Sequence, residues 1–164
     1  MTEHFSITEF ERSDLARRHG WDNRVPMGLL ANARRTLDML ERIRVALWHA
    51  RGYECPIYLT SGYRCQSLNR AVGSSDGSAH NAARAADWIS PAYGSPTEIC
   101  RLLAEHVDEF AIGQVINEFP GGDGEGWVHT GVDIPALAIN RVITIDRSSA
   151  GEVLTLPGVL DSFA

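Results

Sequence analysis

Lysine is absent from this 164-residue chain, and all fifteen basic residues are arginines. That absence excludes Schiff-base chemistry on lysine, a pyridoxal phosphate anchor and the lysine of a phosphate-binding loop. Cysteine is scarce: Cys55, Cys65 and Cys100 are too few and odd in number for a disulfide framework, and no CxxC pair occurs. They read as buried thiols, with a Cys55–Cys65 bridge as the minor alternative. No apolar run approaches the ~20 residues of a membrane span. The polar, acidic opening MTEHFSITEFERSD lacks the basic and then apolar order of a secretory signal. Synthesis in the cytoplasm without a signal peptide is the expectation. A formal charge of -6 argues against nucleic acid and anionic membrane as partners, because both call for clustered cations.

What is present is the composition of an ordinary globular protein, 44% hydrophobic and 22% charged. The length suits one compact domain spanning residues 1–164, expected to be monomeric. Ser6 followed by Glu9 is a capping-box spacing, so a helical lid over the core is expected at about residues 5–20, ending by His19 and Gly20. Pro26 opens a longer helix whose Leu30, Ala33, Leu37, Leu40, Ile43 and Leu47 recur at three- and four-residue spacing as far as Gly52. A second capping box, Ser95 and Glu98 with Pro96 between them, starts a helix expected to reach about Phe110. IYLTSGYR reads as a short strand, and IGQVINEF, WVHTGV and RVITID as three more. Helices gathered before and between strands, without regular alternation, predict an α+β fold with helices packed on a small antiparallel sheet.

The unusual chemistry lies in CQSLNRAVGSSDGSAHNAARAAD and in WVHTGV. A hydrolytic zinc site takes three ligands from histidine and carboxylate and keeps a fourth position open. His80 sits in a small-residue loop seven positions before Asp87, and a strand through AADWI turns Asp87 and Trp88 to opposite faces. In WVHTGV the same alternation separates His129 from Val128 and Thr130, with Trp127 on the His129 face. Taken singly, each of these groups is better read as a satisfied polar residue at a strand end.

Together, SGYRCQSLNRAVGSSDGSAHNAARAAD followed by INEF and WVH resembles the M15 zinc peptidases, in particular phage and prophage members with the D-Ala-D-Ala carboxypeptidase fold, which is hedgehog-like. The opening HFSITEFERSD is similar too, so the resemblance covers roughly residues 4 to 132. It implies Zn2+ as cofactor, with His80, Asp87 and His129 as ligands and Ser78 beside the first of them. It implies Arg64 as the cation that meets a substrate carboxylate or a developing oxyanion. The wider family carries an acid three positions before the last histidine, where this chain has Gly126. The resemblance then points to Glu118 of INEF as general base, with Glu125 as fallback. The family's glycine after the first ligand is Ala83 here; if the backbone there is left-handed, alanine costs about 1 kcal/mol.

The expectation is therefore a zinc metallopeptidase that cleaves peptidoglycan stem peptides by metal-activated water, as an endopeptidase or a D,D-carboxypeptidase. Trp127 and Tyr63 are candidate walls of the substrate pocket. Family resemblance places the activity at the bacterial cell wall, in a phage- or prophage-encoded protein. Two rivals stand beside it: a catalytically silent, metal-stabilised cell-wall or virion module, and a serine hydrolase using Ser75 of the GxSxG stretch Gly73–Gly77. His4, His19, His49 and His106 read as surface groups, and the loop with Asp123 and Glu125 as a flexible hairpin over the cleft.

Overall fold

The computed structural model describes residues 2–120, 126–132 and 141–163. The N-terminal segment forms two short helices instead of one, because each has its own serine cap. Ser6 Oγ accepts the Glu9 N–H at 3.1 Å ahead of α1 (Ile7–Phe10), and Ser13 Oγ accepts the Ala16 N–H at 3.2 Å ahead of α2 (Asp14–His19). Gly20, at φ 68°, ends the second. Pro26 leads through a single 3-10 turn into α3 (Leu30–Arg51), which stops at Gly52, also left-handed at φ 77°. The buried face of α3 is the expected stripe, with Ala33, Leu37, Leu40, Ile43 and Leu47 all enclosed.

After β1 (Tyr58–Ser61) and α4 (Gln66–Ala71), the chain forms β2 (Ala85–Ile89) and then α5 (Pro96–Glu105), whose Ser95–Glu98 capping box is complete. Helix α5 ends five residues earlier than the sequence suggests. His106 leaves helical geometry and Ala111 takes φ 55°, so the chain turns back into the sheet and Phe110 is buried without being helical. The remaining strands are β3 (Ile112–Glu118), β4 (Trp127–Val132), β5 (Arg141–Arg147) and β6 (Val153–Pro157).

The six strands lie in the order β1-β2-β4-β3-β5-β6. The expectation of a purely antiparallel sheet is corrected here, because β5 runs parallel to β3. The physical reason is occupancy: β2 already pairs with the outer side of β4, so the returning chain must cross to the far side of β3, where it runs in the β3 direction. Strand β6 was not foreseen; all five of its residues are exposed, so it shows no alternation to read. Cys55 and Cys65 are not bridged: both thiols are free.

One face of the sheet is core. Trp88, Val115 and Val128 join Leu37, Leu40, Ile99 and Leu103 in the main hydrophobic cluster, and Trp88 Nε1 donates to Thr130 Oγ1 at 3.0 Å. Asn117 points the same way and donates to Thr97 Oγ1 of α5 at 3.0 Å. By period-two alternation, Asp87, Ile116, Glu118 and His129 are turned to the opposite face.

The N-terminal segment docks against the end of β1. Tyr63 N–H donates to the Phe10 carbonyl at 2.9 Å, Phe10 is fully buried, and a Cβ on Gly62 would overlap the Phe10 carbonyl oxygen and ring. Gly62→Ala is therefore expected to destabilise the fold by about 2 kcal/mol or more, as overpacking against backbone does. Urea denaturation, read as a lower midpoint with an unchanged slope, checks this.

Candidate metal centre

Asp87 and His129 are directly opposite one another across the β2–β4 ladder. That register brings Asp87 Oδ1 to 2.7 Å from His129 Nδ1. His80 reaches them from the connection between α4 and β2, with Nε2 at 3.2 Å from Asp87 Oδ1 and 3.2 Å from His129 Nδ1. All three side chains are buried.

The position of His80 follows from backbone contacts. Its Nδ1–H donates to the Gly62 carbonyl at 2.6 Å, which directs the Nε2 lone pair toward the other two groups. Ser78 Oγ accepts the His80 N–H at 3.3 Å, and the His80 carbonyl accepts the N–H groups of Arg64 at 3.3 Å and Ala83 at 3.1 Å. Two α3 side chains tie down the end of the turn: Asn32 Nδ2 donates to the Ala82 carbonyl and Thr36 Oγ1 to that of Ala83, each at 3.0 Å. Ala83 does occupy the left-handed region, at φ 54°. Its buried methyl and these bonds hold it there against the strain.

These donors suit a cation. Ligands of a tetrahedral zinc lie about 3.3 Å apart at bond lengths of about 2.0 Å, close to the observed edges of the donor triangle. Burial pushes the His80 imidazole below its ordinary range and so favours the neutral, ligating form. For Asp87 burial acts upward, but the facing His80 and His129 outweigh it and hold the carboxyl well below the usual carboxylate range. His129 Nε2 is buried without a hydrogen-bond partner among the described residues.

The second oxygen of Asp87 is taken by Arg64, whose Nη2 donates to Oδ2 while its Nε donates to Ser61 Oγ at 2.8 Å. Arg64 therefore orients a carboxylate of the candidate metal centre as well as lining the cavity, a role the sequence does not show. Ser61 and the Gly62 carbonyl also went unrecognised, although both lie in SGYR with Ser61 three residues before Arg64.

A cavity of about 570 Å³ opens on the cluster and is walled by Arg64, Ser78, Glu118 and Trp127. Glu118 closes β3 opposite Trp127, and its Oε1 lies 3.9 Å from His129 Nδ1. Burial, with Asp87 adding to it, pushes the Glu118 carboxyl up to about 7, while His129 and Arg64 pull it back. A carboxylate tuned into this range can both take and return a proton near neutral pH. Trp127 Nε1 is a buried donor without a partner among the described residues.

Gly126 explains why no acid precedes His129 at the expected spacing: a Cβ there would lie 2.9 Å from the Phe119 carbonyl oxygen and 3.0 Å from that of Glu118. Phe119 itself is left-handed at φ 53° and packs against Trp127 at 5.3 Å between ring centroids. The turn beside Glu118 is thus closed to a side chain at position 126.

Other expected residues fall elsewhere. Tyr63 is a core residue and does not wall the cavity. Glu125 and Asp123 lie outside the described residues. Ser75 borders the cavity, but the segment before it is α4 and the segment after it is turn, so the strand–serine–helix elbow of a serine hydrolase is not formed. His4, His19 and His49 are exposed and His106 is half-buried.

The donor set predicts one zinc per chain in purified protein, measurable by mass spectrometry of the metal, and a rise in Tm on zinc addition through preferential binding to the folded state. His80→Ala should lose both. Zinc content and a Tm shift equal to those of the parent would show that the triad does not hold the ion.

Among curated proteins no match is found. The sequence model of the family described as Peptidase M15 matches residues 3–119, a span that contains Arg64, His80, Asp87 and Glu118. His129 lies beyond that span, and the β2–β4 pairing brings it into the cluster. With that match across most of its length, this chain belongs to the Peptidase M15 family.

Proposed function

We propose that the protein is a zinc-dependent peptidase acting on peptidoglycan stem peptides at the bacterial cell wall. The observation that carries the peptidase reading is the buried His80–Asp87–His129 triangle facing a cavity with Glu118, a carboxyl tuned to about 7, beside it. The stem-peptide substrate is supported by the resemblance of SGYR, the His80–Asp87 segment and WVH to peptidases of that class.

His80, Asp87 and His129 would hold a zinc ion, which would supply Lewis acidity toward a peptide carbonyl and lower the pKa of water from 15.7 to about 7. Glu118 Oε1, at the cavity wall 3.9 Å from His129 Nδ1, would take a proton from the attacking water and deliver it to the leaving amine nitrogen. Arg64, held by Asp87 and Ser61, presents a fixed positive charge to the oxygen that becomes negative. His80 keeps its ring in place through the Gly62 carbonyl, so little reorganisation of this ligand accompanies the reaction.

The test is digestion of purified peptidoglycan with zinc-loaded protein, followed by mass spectrometry of the released fragments. New termini within the stem peptides are expected. Intact stem peptides would remove the substrate assignment, and intact stem peptides together with retained cell-wall binding would favour the silent module. Glu118→Gln should keep its zinc and lower kcat by about 100-fold or more, the usual contribution of a positioned acid–base group. Full turnover in that variant would assign the proton transfer to another residue.

A further inference from the structure

A second cavity, of about 540 Å³, adjoins the first and shares Arg64 and Val72 with it. One of its walls is four consecutive residues, Leu59, Thr60, Ser61 and Gly62, and the other is the N-terminal segment around Glu9, Arg12 and Leu15. Strand β1 is the last strand on its side of the sheet. Its pairing with β2 slips at Thr60: Leu59 faces Trp88 and Ser61 faces Asp87, so Thr60 is the extra, bulged residue. The docking of Phe10 on Gly62 and Tyr63 closes the far end of the strand and leaves the edge before it beside an open cleft.

An unpaired strand edge facing a cleft takes an extended peptide by main-chain hydrogen bonding, with side-chain pockets adding selectivity. Glu9 and Arg12, on the facing wall, make no side-chain hydrogen bond among the described residues and so leave an acceptor and a donor group for a ligand. We infer that the β1 edge and the N-terminal segment together form a second substrate subsite, which holds an extended peptide segment bearing both an amine and a carboxylate on the far side of Arg64 from the metal donors. This rests on the peptidase reading and sharpens it. A peptide that crosses Arg64 extends from the metal donors into this second cavity and is held over more than the residues beside the cleaved bond. The N-terminal helices then act as a wall of the substrate cleft as well as a cover for the core.

The inference is tested by calorimetric titration of zinc-loaded Glu118→Gln protein with a synthetic stem tripeptide, and with the same peptide lengthened by two residues at either end. Lengthening at one end only should tighten binding about tenfold, the effect of two or three added main-chain hydrogen bonds. Placing Thr60→Trp, which fills the cleft from the exposed bulge, in the same background should abolish that gain. Arg12→Trp, which fills it from the exposed opposite wall, should do likewise and serves if the first variant does not fold. A gain that survives both substitutions, or no gain from either lengthening, would overturn the subsite. If lengthened peptides bind more tightly yet wild-type protein cleaves none of them, the subsite stands and the peptidase reading falls.

Discussion

The buried carboxylate of Asp87 is the point on which the site depends. Its two oxygens divide the work: Oδ1 faces His129 and His80, and Oδ2 is held by Arg64. An unpaired carboxylate at this depth would be strongly destabilising, and removing one partner of such a buried pair typically costs about 3–5 kcal/mol. Each neighbouring element is arranged to prevent that. Strand β4 supplies His129 in register, the bulge in β1 aligns Ser61 with Asp87, and Ser61 in turn steadies Arg64. The acid of the candidate cation site is also the group that organises the cleft wall.

Strand alternation lets this polar cluster coexist with a dry core. On β2 and β4 the site and the core are one residue apart: Asp87 beside Trp88, His129 beside Val128 and Thr130. A one-residue register slip on either strand would send an ionisable group into the helix-covered face and a core side chain into the cleft. The Trp88–Thr130 hydrogen bond behind the sheet and the Asp87–His129 contact in front belong to the same two strands and oppose that slip together.

Two of the three left-handed non-glycine residues among the described residues lie around the same place. Ala83 and Phe119 both hold left-handed conformations that favour glycine, and each adjoins a segment that delivers a site residue, His80 in one case and Glu118 in the other. Such positions persist where the surroundings over-determine them. Here Thr36 and Asn32 secure the first, and the Ile145 carbonyl, accepting the Phe119 N–H at 2.7 Å, secures the second. Between Phe119 and β4, Gly126 fits only because it lacks a side chain. The carbonyl oxygens of Glu118 and Phe119 that close position 126 to a side chain belong to the same turn that carries Glu118 into the cavity wall.

Much of this was legible in the residues, and the boundary is physical. Serine caps, the Pro96–Glu98 start and the stripe of α3 are local features, so they located the helices well; the end of α5 depends on how the chain re-enters the sheet, and there the reading ran five residues long. Alternation assigned Asp87 and His129 to their faces, and the chemistry of His80 together with a family pattern joined them into a metal set. The sequence by itself determined the donor types, the faces they occupy and the α+β class, because these follow from short-range periodicity and side-chain chemistry. Only the tertiary structure decided the parallel β3–β5 pairing, the clamp of Arg64 on Asp87, the Gly62 carbonyl behind His80, the placement of Tyr63 in the core and the cleft along β1. Each of these joins segments distant in the chain or hinges on a backbone atom, and neither leaves a periodic mark in a sequence.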